Sequence, residues 1–213
     1  VLNRQGREVL EIDESIPAFD AEQAAAALAD GATLVDARPN TDFSQGHLRG
    51  AINVPSDGRL AETVGTVLAP DDRVVLIAPE GEEQEVATRF HRIGYDHVLG
   101  YVADPEAFLL DRQDQVAPAS RLTVRETDAA RESVDGVQVL DIRNPGEVAL
   151  GMIPGAIHIP LPELGKRMDE LDRDRPVIAY CAGGWRSSVG ASLLRARGFG
   201  DVSDILGGYN AWV

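Results

Sequence analysis

DGATLVDARPNTDFSQGHLRGAINVP, residues 30–55, and DGVQVLDIRNPGEVALGMIPGAIHIP, residues 135–160, are one pattern written twice. They align without a gap at a spacing of 105 residues. Asp30, Gly31, Asp36, Arg38, Gly46, Gly50, Ala51, Ile52 and Pro55 recur as Asp135, Gly136, Asp141, Arg143, Gly151, Gly155, Ala156, Ile157 and Pro160. Further along, ATRFHRIGYDHV (87–98) resembles ASLLRARGFGDV (191–202) at a spacing of 104. A period of about 100 residues is the size of a domain rather than of a solenoid unit. The sequence therefore predicts two related domains, residues 15–108 and 121–213. The polar, proline-containing stretch LLDRQDQVAPAS, residues 109–120, is expected to be the linker between them.

Each half alternates strand and helix patterns. Asp20 can cap a helix through AEQAAAALAD, which Gly31 stops. Short apolar runs follow and read as strands: 33–35, 51–54 and 74–78, then 137–140, 156–159 and 177–180. A helical pattern after the last strand of each set ends at Gly94 or Gly198. Alternation of this kind implies an α/β fold, a mostly parallel sheet flanked by helices in each domain. In such sheets ligands sit beyond the carboxyl ends of the strands, where loops enter helices.

Composition narrows the function. The 213 residues hold 20 Lys+Arg against 35 Asp+Glu, a net charge of −15. That charge repels nucleic acid and anionic membrane surfaces, so neither is an expected partner. No apolar run approaches the roughly 20 residues that cross a bilayer. The N-terminal Val-Leu-Asn-Arg-Gln-Gly lacks a secretory pattern, and the absence of an initiator Met suggests a piece of a longer polypeptide. A single cysteine, Cys181, excludes an intrachain disulfide and fits a reducing, cytoplasmic setting. His91, His97 and His158 form no metal-binding spacing, and no glycine-rich phosphate loop occurs, so neither a metal nor a cofactor is expected.

Cys181 lies at the end of the strand 177–180 and opens the loop Cys181-Ala182-Gly183-Gly184-Trp185-Arg186-Ser187, which runs into a helix. Two glycines permit a tight turn with positive φ. Successive N–H groups of such a turn form a concave nest for an anion, and Arg186 adds a fixed positive charge. Together they would hold a thiolate and a negatively charged group attached to it. The competing reading is that Cys181 is simply a buried small apolar residue. Two readings of Trp185 also stand: packing against the neighbouring domain, or walling the mouth of a site.

Asp141-Ile142-Arg143, Gly151-Met152-Ile153-Pro154-Gly155-Ala156, the Cys181–Arg186 loop and Leu206-Gly207-Gly208-Tyr209-Asn210-Ala211-Trp212 occur in order. Carrying these motifs, both halves resemble rhodanese-like sulfurtransferase domains over nearly the whole chain. The resemblance implies that Cys181 takes a sulfane sulfur from a donor such as thiosulfate or a persulfide. It would hold that sulfur as a persulfide and pass it to a thiol or cyanide. The residues Ala182, Gly183, Gly184, Trp185, Arg186 and Ser187 would form the loop that cradles the sulfur and an anionic donor. Met152 stands where the family usually carries the His seen at His47, and is read as packing or surface. The family's sulfur-transferring loops run six residues, as Cys181 to Arg186 does, whereas related cysteine phosphatases use one more. That length favours sulfur transfer over phosphatase or arsenate-reductase chemistry. A non-catalytic interaction module remains the alternative of a different class. With one cysteine, no second thiol can resolve a persulfide internally, so the acceptor must come from outside.

The first half lacks this chemistry. Aligned from Arg73 against Arg175, Pro79 falls at the cysteine position, the loop is two residues shorter, and it carries Glu80, Glu82, Glu83 and Glu85. The terminal Gly-Gly is replaced by Ala103-Asp104. Domain 1 is therefore expected to keep the fold without the activity. Asp36, Arg38 and the glycines around His47 would be structural, with His47 at the surface or hydrogen-bonded rather than a ligand. An inert first domain beside this second one is similar to the C-terminal part of certain fusion proteins. Their N-terminal domain is a metallo-β-lactamase-fold persulfide dioxygenase or hydrolase, which implies such a domain as a partner.

Overall fold

A computed structural model describes residues 15–57 and 59–213. The segment before residue 15, on which the leader reading rests, lies outside the described residues. Domain 1 runs β1 (Ala18–Phe19), α1 (Ala21–Ala29), β2 (Thr33–Asp36), α2 (Asn40–Gln45), β3 (His47–Leu48) and β4 (Ile52–Asn53). It continues through α3 (Leu60–Val67), β5 (Val74–Ile77), α4 (Glu83–Arg92), β6 (Val98–Val102) and α5 (Pro105–Leu110). A 3₁₀ turn (Gln113–Gln115) and β7 (Val116–Ala117) lead into domain 2. That domain holds β8 (Ser120–Leu122), α6 (Val124–Ser133), β9 (Gln138–Asp141), α7 (Pro145–Val148), β10 (Ile157–His158) and α8 (Leu161–Arg167). It ends with β11 (Val177–Tyr180), α9 (Trp185–Ala196), β12 (Val202–Ile205) and α10 (Gly208–Trp212).

Two five-stranded sheets result, β1-β6-β5-β2-β4 and β8-β12-β11-β9-β10, and every pair in them is parallel. The central strands β5 and β11 are buried at every position, as a sheet covered on both faces requires. The edge strands β4 and β10 are two residues long, shorter than the apolar runs predict. A turn at Gly50 or Gly155, both at positive φ, starts each late. Pro55 or Pro160, which has no N–H for the ladder, follows close behind. The first helix of each domain carries a reciprocal cap. The Asp20 carboxylate accepts from the Gln23 amide at 2.8 Å while the Gln23 side chain accepts from the Asp20 amide. Thr123 and Glu126 repeat the arrangement at α6.

The stretch 109–120 is more ordered than a polar connector. Its first residues finish α5, and β7 pairs antiparallel with β3, opposing His47 to Ala117 and Leu48 to Val116. The Arg49 and Ala119 amides donate to Gln115 and Ser44. Backbone groups that would otherwise be orphaned thus tie the connector to domain 1. His47 is not at the surface. It is 3% exposed, stacked on Phe43 at 3.8 Å between ring centres, with Nδ1 3.1 Å from the Phe43 carbonyl.

Desolvation, with the nearby Arg195 charge, holds the His47 imidazole down at about 4, against the backbone contact to Phe43. The protonated form therefore favours the unfolded chain. His47 leaves stability intact above about pH 6.5 and erodes it as pH falls toward 4, by up to about 1.4 kcal/mol per pH unit. Urea unfolding of wild type and His47→Gln between pH 7 and 4 should diverge by that slope. Parallel curves would show that the ring does not titrate in this window.

The domains share a core. Helix α9 is buried from Ser187 through Leu194, because β11 covers one face and domain 1 the other. The Asn53 amide on β4 donates to Ser192 Oγ at 2.9 Å, and α3 packs on α8. A small residue also lets α9 lie close against its own domain: a Cβ at Gly190 would lie 3.1 Å from Ile142 Cδ1. Among the described residues no helix is long and apolar enough to cross a membrane.

Candidate active site

Cys181 follows β11, the middle strand of the second sheet, so its thiol emerges at the carboxyl edge, where α9 begins. It is 1% exposed yet lines a cavity of about 680 Å³. The turn carries Gly184 at φ +90, and its amide donates to Cys181 Sγ at 3.1 Å. An N–H aimed at sulfur, at the N-terminus of a helix, stabilises negative charge there. A side chain at Gly184 would press on Gly207 N at 3.1 Å, so the position needs glycine twice over.

The C-terminal helix holds the loop from behind. The Tyr209 amide donates to the Cys181 carbonyl at 2.7 Å and the Asn210 amide to the Ala182 carbonyl at 3.0 Å. Gly208 sits at φ +56, and a Cβ there would collide with the Cys181 carbonyl oxygen. Gly208→Ala should therefore displace the cysteine loop. Chemistry at Cys181 is expected to slow about 100-fold, the scale of a 1 Å misplacement, with only a few degrees lost from Tm. Unchanged turnover would show that the Gly208 contact does not set the loop.

Beneath the loop lies a buried polar layer. Arg143 pairs with Asp141 at 2.6 Å and donates to the Gly151 carbonyl at 2.7 Å. Tyr180 donates its hydroxyl to Asp141 at 2.6 Å and accepts from the Ile153 amide. Burial, with Asp141 beside it, pushes the Tyr180 phenol up and keeps it a donor. The Arg143 guanidinium stacks on Tyr209 at 4.0 Å, coupling this layer to α10. On the other side Arg121 pairs with Asp204 at 3.1 Å and reaches the Gly184 carbonyl at 3.3 Å.

The loop residues named from the sequence divide. Cys181, Gly183, Trp185 and Arg186 line the cavity. Ala182 and Gly184 act through backbone groups, while Ser187 is fully buried and does not face the cavity. Ser187 begins the stretch of α9 that is packed on both sides, which turns its side chain inward. Trp185 lines the cavity, and its Nε1 lies 3.4 Å from Asp57 Oδ1 of domain 1. Arg186 is not a free cation. Its two terminal nitrogens clamp Glu147 at 2.8 and 2.6 Å. That clamp, first among the causes, holds the Glu147 carboxyl down at about 2, so the pair stays ionised at any ordinary pH.

Glu147 was missed by the sequence reading. A signal existed: the repeat places Asp42 at the equivalent position, so an acid recurs. The far wall had no signal. It comes from domain 1, from Arg59, Glu62, Thr63 and Thr66 around α3, and exists only through packing of the two domains.

The equivalent place in domain 1 differs in detail from the sequence alignment. In the sheet register Thr33 faces Val74 as Gln138 faces Val177, and Asp36 faces Ile77 as Asp141 faces Tyr180. Ala78, not Pro79, therefore stands where Cys181 stands; the alignment from Arg73 was one residue out because Arg73 directly precedes β5, whereas Pro176 separates Arg175 from β11. No thiol is present either way, and Asp42, Glu80, Glu83, Asp104 and Glu106 surround the cavity there. Among the described residues no group of three or more His, Cys, Asp or Glu could hold a metal.

The two parallel-sheet halves match the rhodanese-like domain over residues 20–108 and again over 124–213. The chain belongs to the rhodanese-like domain family. A sulfurtransferase of Allochromatium vinosum is 41% identical over 78 residues, 37% of this chain and 73% of that protein. The thiosulfate sulfurtransferase GlpE of Pseudomonas paraeruginosa is 32% identical over 102 residues, 48% of this chain and 86% of its own length. A solved thiosulfate sulfurtransferase from Pseudomonas aeruginosa covers 92% of this chain, with 42% of its own length, at 25% identity and a TM-score of 0.41. Relatives of these names support a rhodanese-type enzyme.

Proposed function

We propose that this chain is a sulfurtransferase whose second domain carries the chemistry on Cys181. The observation that carries the reading is a thiol which is buried yet opens on a cavity and accepts the Gly184 amide at 3.1 Å. In the first step the Cys181 thiolate attacks the outer sulfur of a donor R–S–S⁻. The Cys181 S–S bond forms, the donor S–S bond breaks, and R–S⁻ leaves with the electron pair. In the second step an acceptor thiolate or cyanide attacks the outer sulfur of the Cys181 persulfide, which returns the Cys181 thiolate. No net oxidation occurs, and no metal or cofactor is required by either step. The Gly184 amide and the start of α9 stabilise negative charge at the sulfur, and Arg186 with Glu147 frames the entrance.

The loop from Cys181 to Arg186 is also the shorter of the two lengths that distinguish sulfur transfer from phosphate chemistry. Domain 1, with Ala78 at the equivalent position, is proposed to be non-catalytic. A reducing compartment that keeps Cys181 as a thiol is the proposed setting. A covalently attached metallo-β-lactamase-fold domain is proposed on resemblance alone. The assay is transfer of sulfur from thiosulfate and from organic persulfides to cyanide, read as thiocyanate. Turnover with at least one donor class is expected; hydrolysis of an aryl phosphate without any sulfur transfer would overturn the reading.

A further inference from the structure

The cavity before Cys181 is much larger than the sulfur chemistry needs. At about 680 Å³ it has the size of sites that enclose organic molecules rather than a four-atom oxyanion. Its inner walls are apolar, from Ile142, Leu161, Pro162 and the Trp185 ring. Its charged lining is Asp57, Glu62 and Glu147 against Arg59 and Arg186, three carboxylates to two guanidiniums. Arg186 is already held by both oxygens of Glu147, and Arg59 lies 3.3 Å from Glu62. Each lining guanidinium thus has a carboxylate beside it, so a small dianion must compete with Glu147 for the Arg186 charge.

On the sulfurtransferase reading, we propose that this cavity is a subsite for the carbon body of an organic sulfur donor, an R–S–S⁻ persulfide with an uncharged R group. Its outer wall is supplied by the catalytically empty domain 1. Thr63 and Thr66 stand one turn apart on α3 and both line the cavity, and the Thr66 hydroxyl is spent on the Thr63 carbonyl at 2.7 Å. Asp57 holds the Trp185 indole from the same side. The inert domain is thus the specificity element of its partner's site, and Glu147 sets the charge preference by cancelling Arg186.

Two variants test this. Thr66 is half-buried and lies on domain 1, and Thr66→Trp takes up part of the subsite while leaving the loop's sequence unchanged. Glu147→Gln keeps the shape and releases the Arg186 charge. Single-turnover sulfur loading is measured with benzyl hydropersulfide and with thiosulfate, and the ratio of the two kcat/KM values is compared with wild type. Thr66→Trp should lower the persulfide-to-thiosulfate ratio about tenfold or more through lost fit. Glu147→Gln should lower it by a similar factor through a smaller KM for thiosulfate. If wild type loads sulfur on Cys181 but both variants leave the ratio unchanged, the subsite assignment is overturned while sulfur transfer stands. If neither donor loads Cys181 in wild type, the sulfurtransferase reading itself falls and takes this inference with it.

Discussion

Cys181→Ala should abolish sulfur transfer from every donor, with a loss of at least about 10³-fold, while leaving the fold in place. The asymmetry follows from the position of the residue. The side chain ends in a cavity rather than supporting one, and the loop is held by its backbone. The Cys181 carbonyl still accepts from Tyr209, and Gly184 still takes its positive φ, when Sγ is removed. The cost in stability should be about 1 kcal/mol, typical of a small buried truncation. No second thiol exists to take over, since Cys181 is the only cysteine of the sequence. Residual turnover above a few percent, measured as thiocyanate formed, would place the chemistry elsewhere.

Arg143→Ala should have the largest effect on stability. Arg143 is 3% exposed and Asp141 is fully buried, so removing the guanidinium strands a carboxylate in the interior with only the Tyr180 hydroxyl and the Arg143 amide as donors. Breaking a buried pair from one side costs about 3–5 kcal/mol. For a protein of this size that lowers Tm by roughly 10 °C. The Gly151 carbonyl loses its donor and Tyr209 loses a stacking partner, so the cysteine loop should loosen as well. The equivalent Arg38→Ala in domain 1, where the same Asp36 pairing recurs at 2.6 Å, should destabilise without a direct effect on the loop. A Tm change under about 2 °C for Arg143→Ala would show that the pair is not structural.

The repeat made most of the fold legible. Asp141, Arg143, Gly151 and Gly155 mark backbone and turn positions whose physics is local, so they read the same in both halves. The apolar runs located the central strands to within a residue at each end because those strands are buried on both faces. The edge strands were overcalled, since a proline and a turn glycine limit them in ways that apolar character does not show. The connector was read only as a polar, proline-containing linker, and its order comes from backbone pairing with β3, to which side-chain polarity is blind.

At the site, Cys181 and its glycines were legible from residue types in sequence. The ion pair that neutralises Arg186 was not, because Glu147 lies 39 residues away and meets it only when α7 and α9 are placed by the sheet. Ser187 was named with the loop on resemblance, and it lies fully buried at the start of α9, outside the cavity lining. The domain 1 wall is a property of the interface between the two repeats. No reading of either repeat by itself contains Thr63 or Thr66 as site residues.

The central claim is that Cys181 stores sulfur. Intact-protein and peptide mass spectrometry after brief exposure to an organic persulfide, followed by removal of the donor, tests it directly. The account predicts a gain of about 32 Da, one sulfur atom, on the peptide carrying Cys181, and its loss on adding cyanide. A Cys181 that gains no sulfur, or gains sulfur that no acceptor can remove, would contradict it.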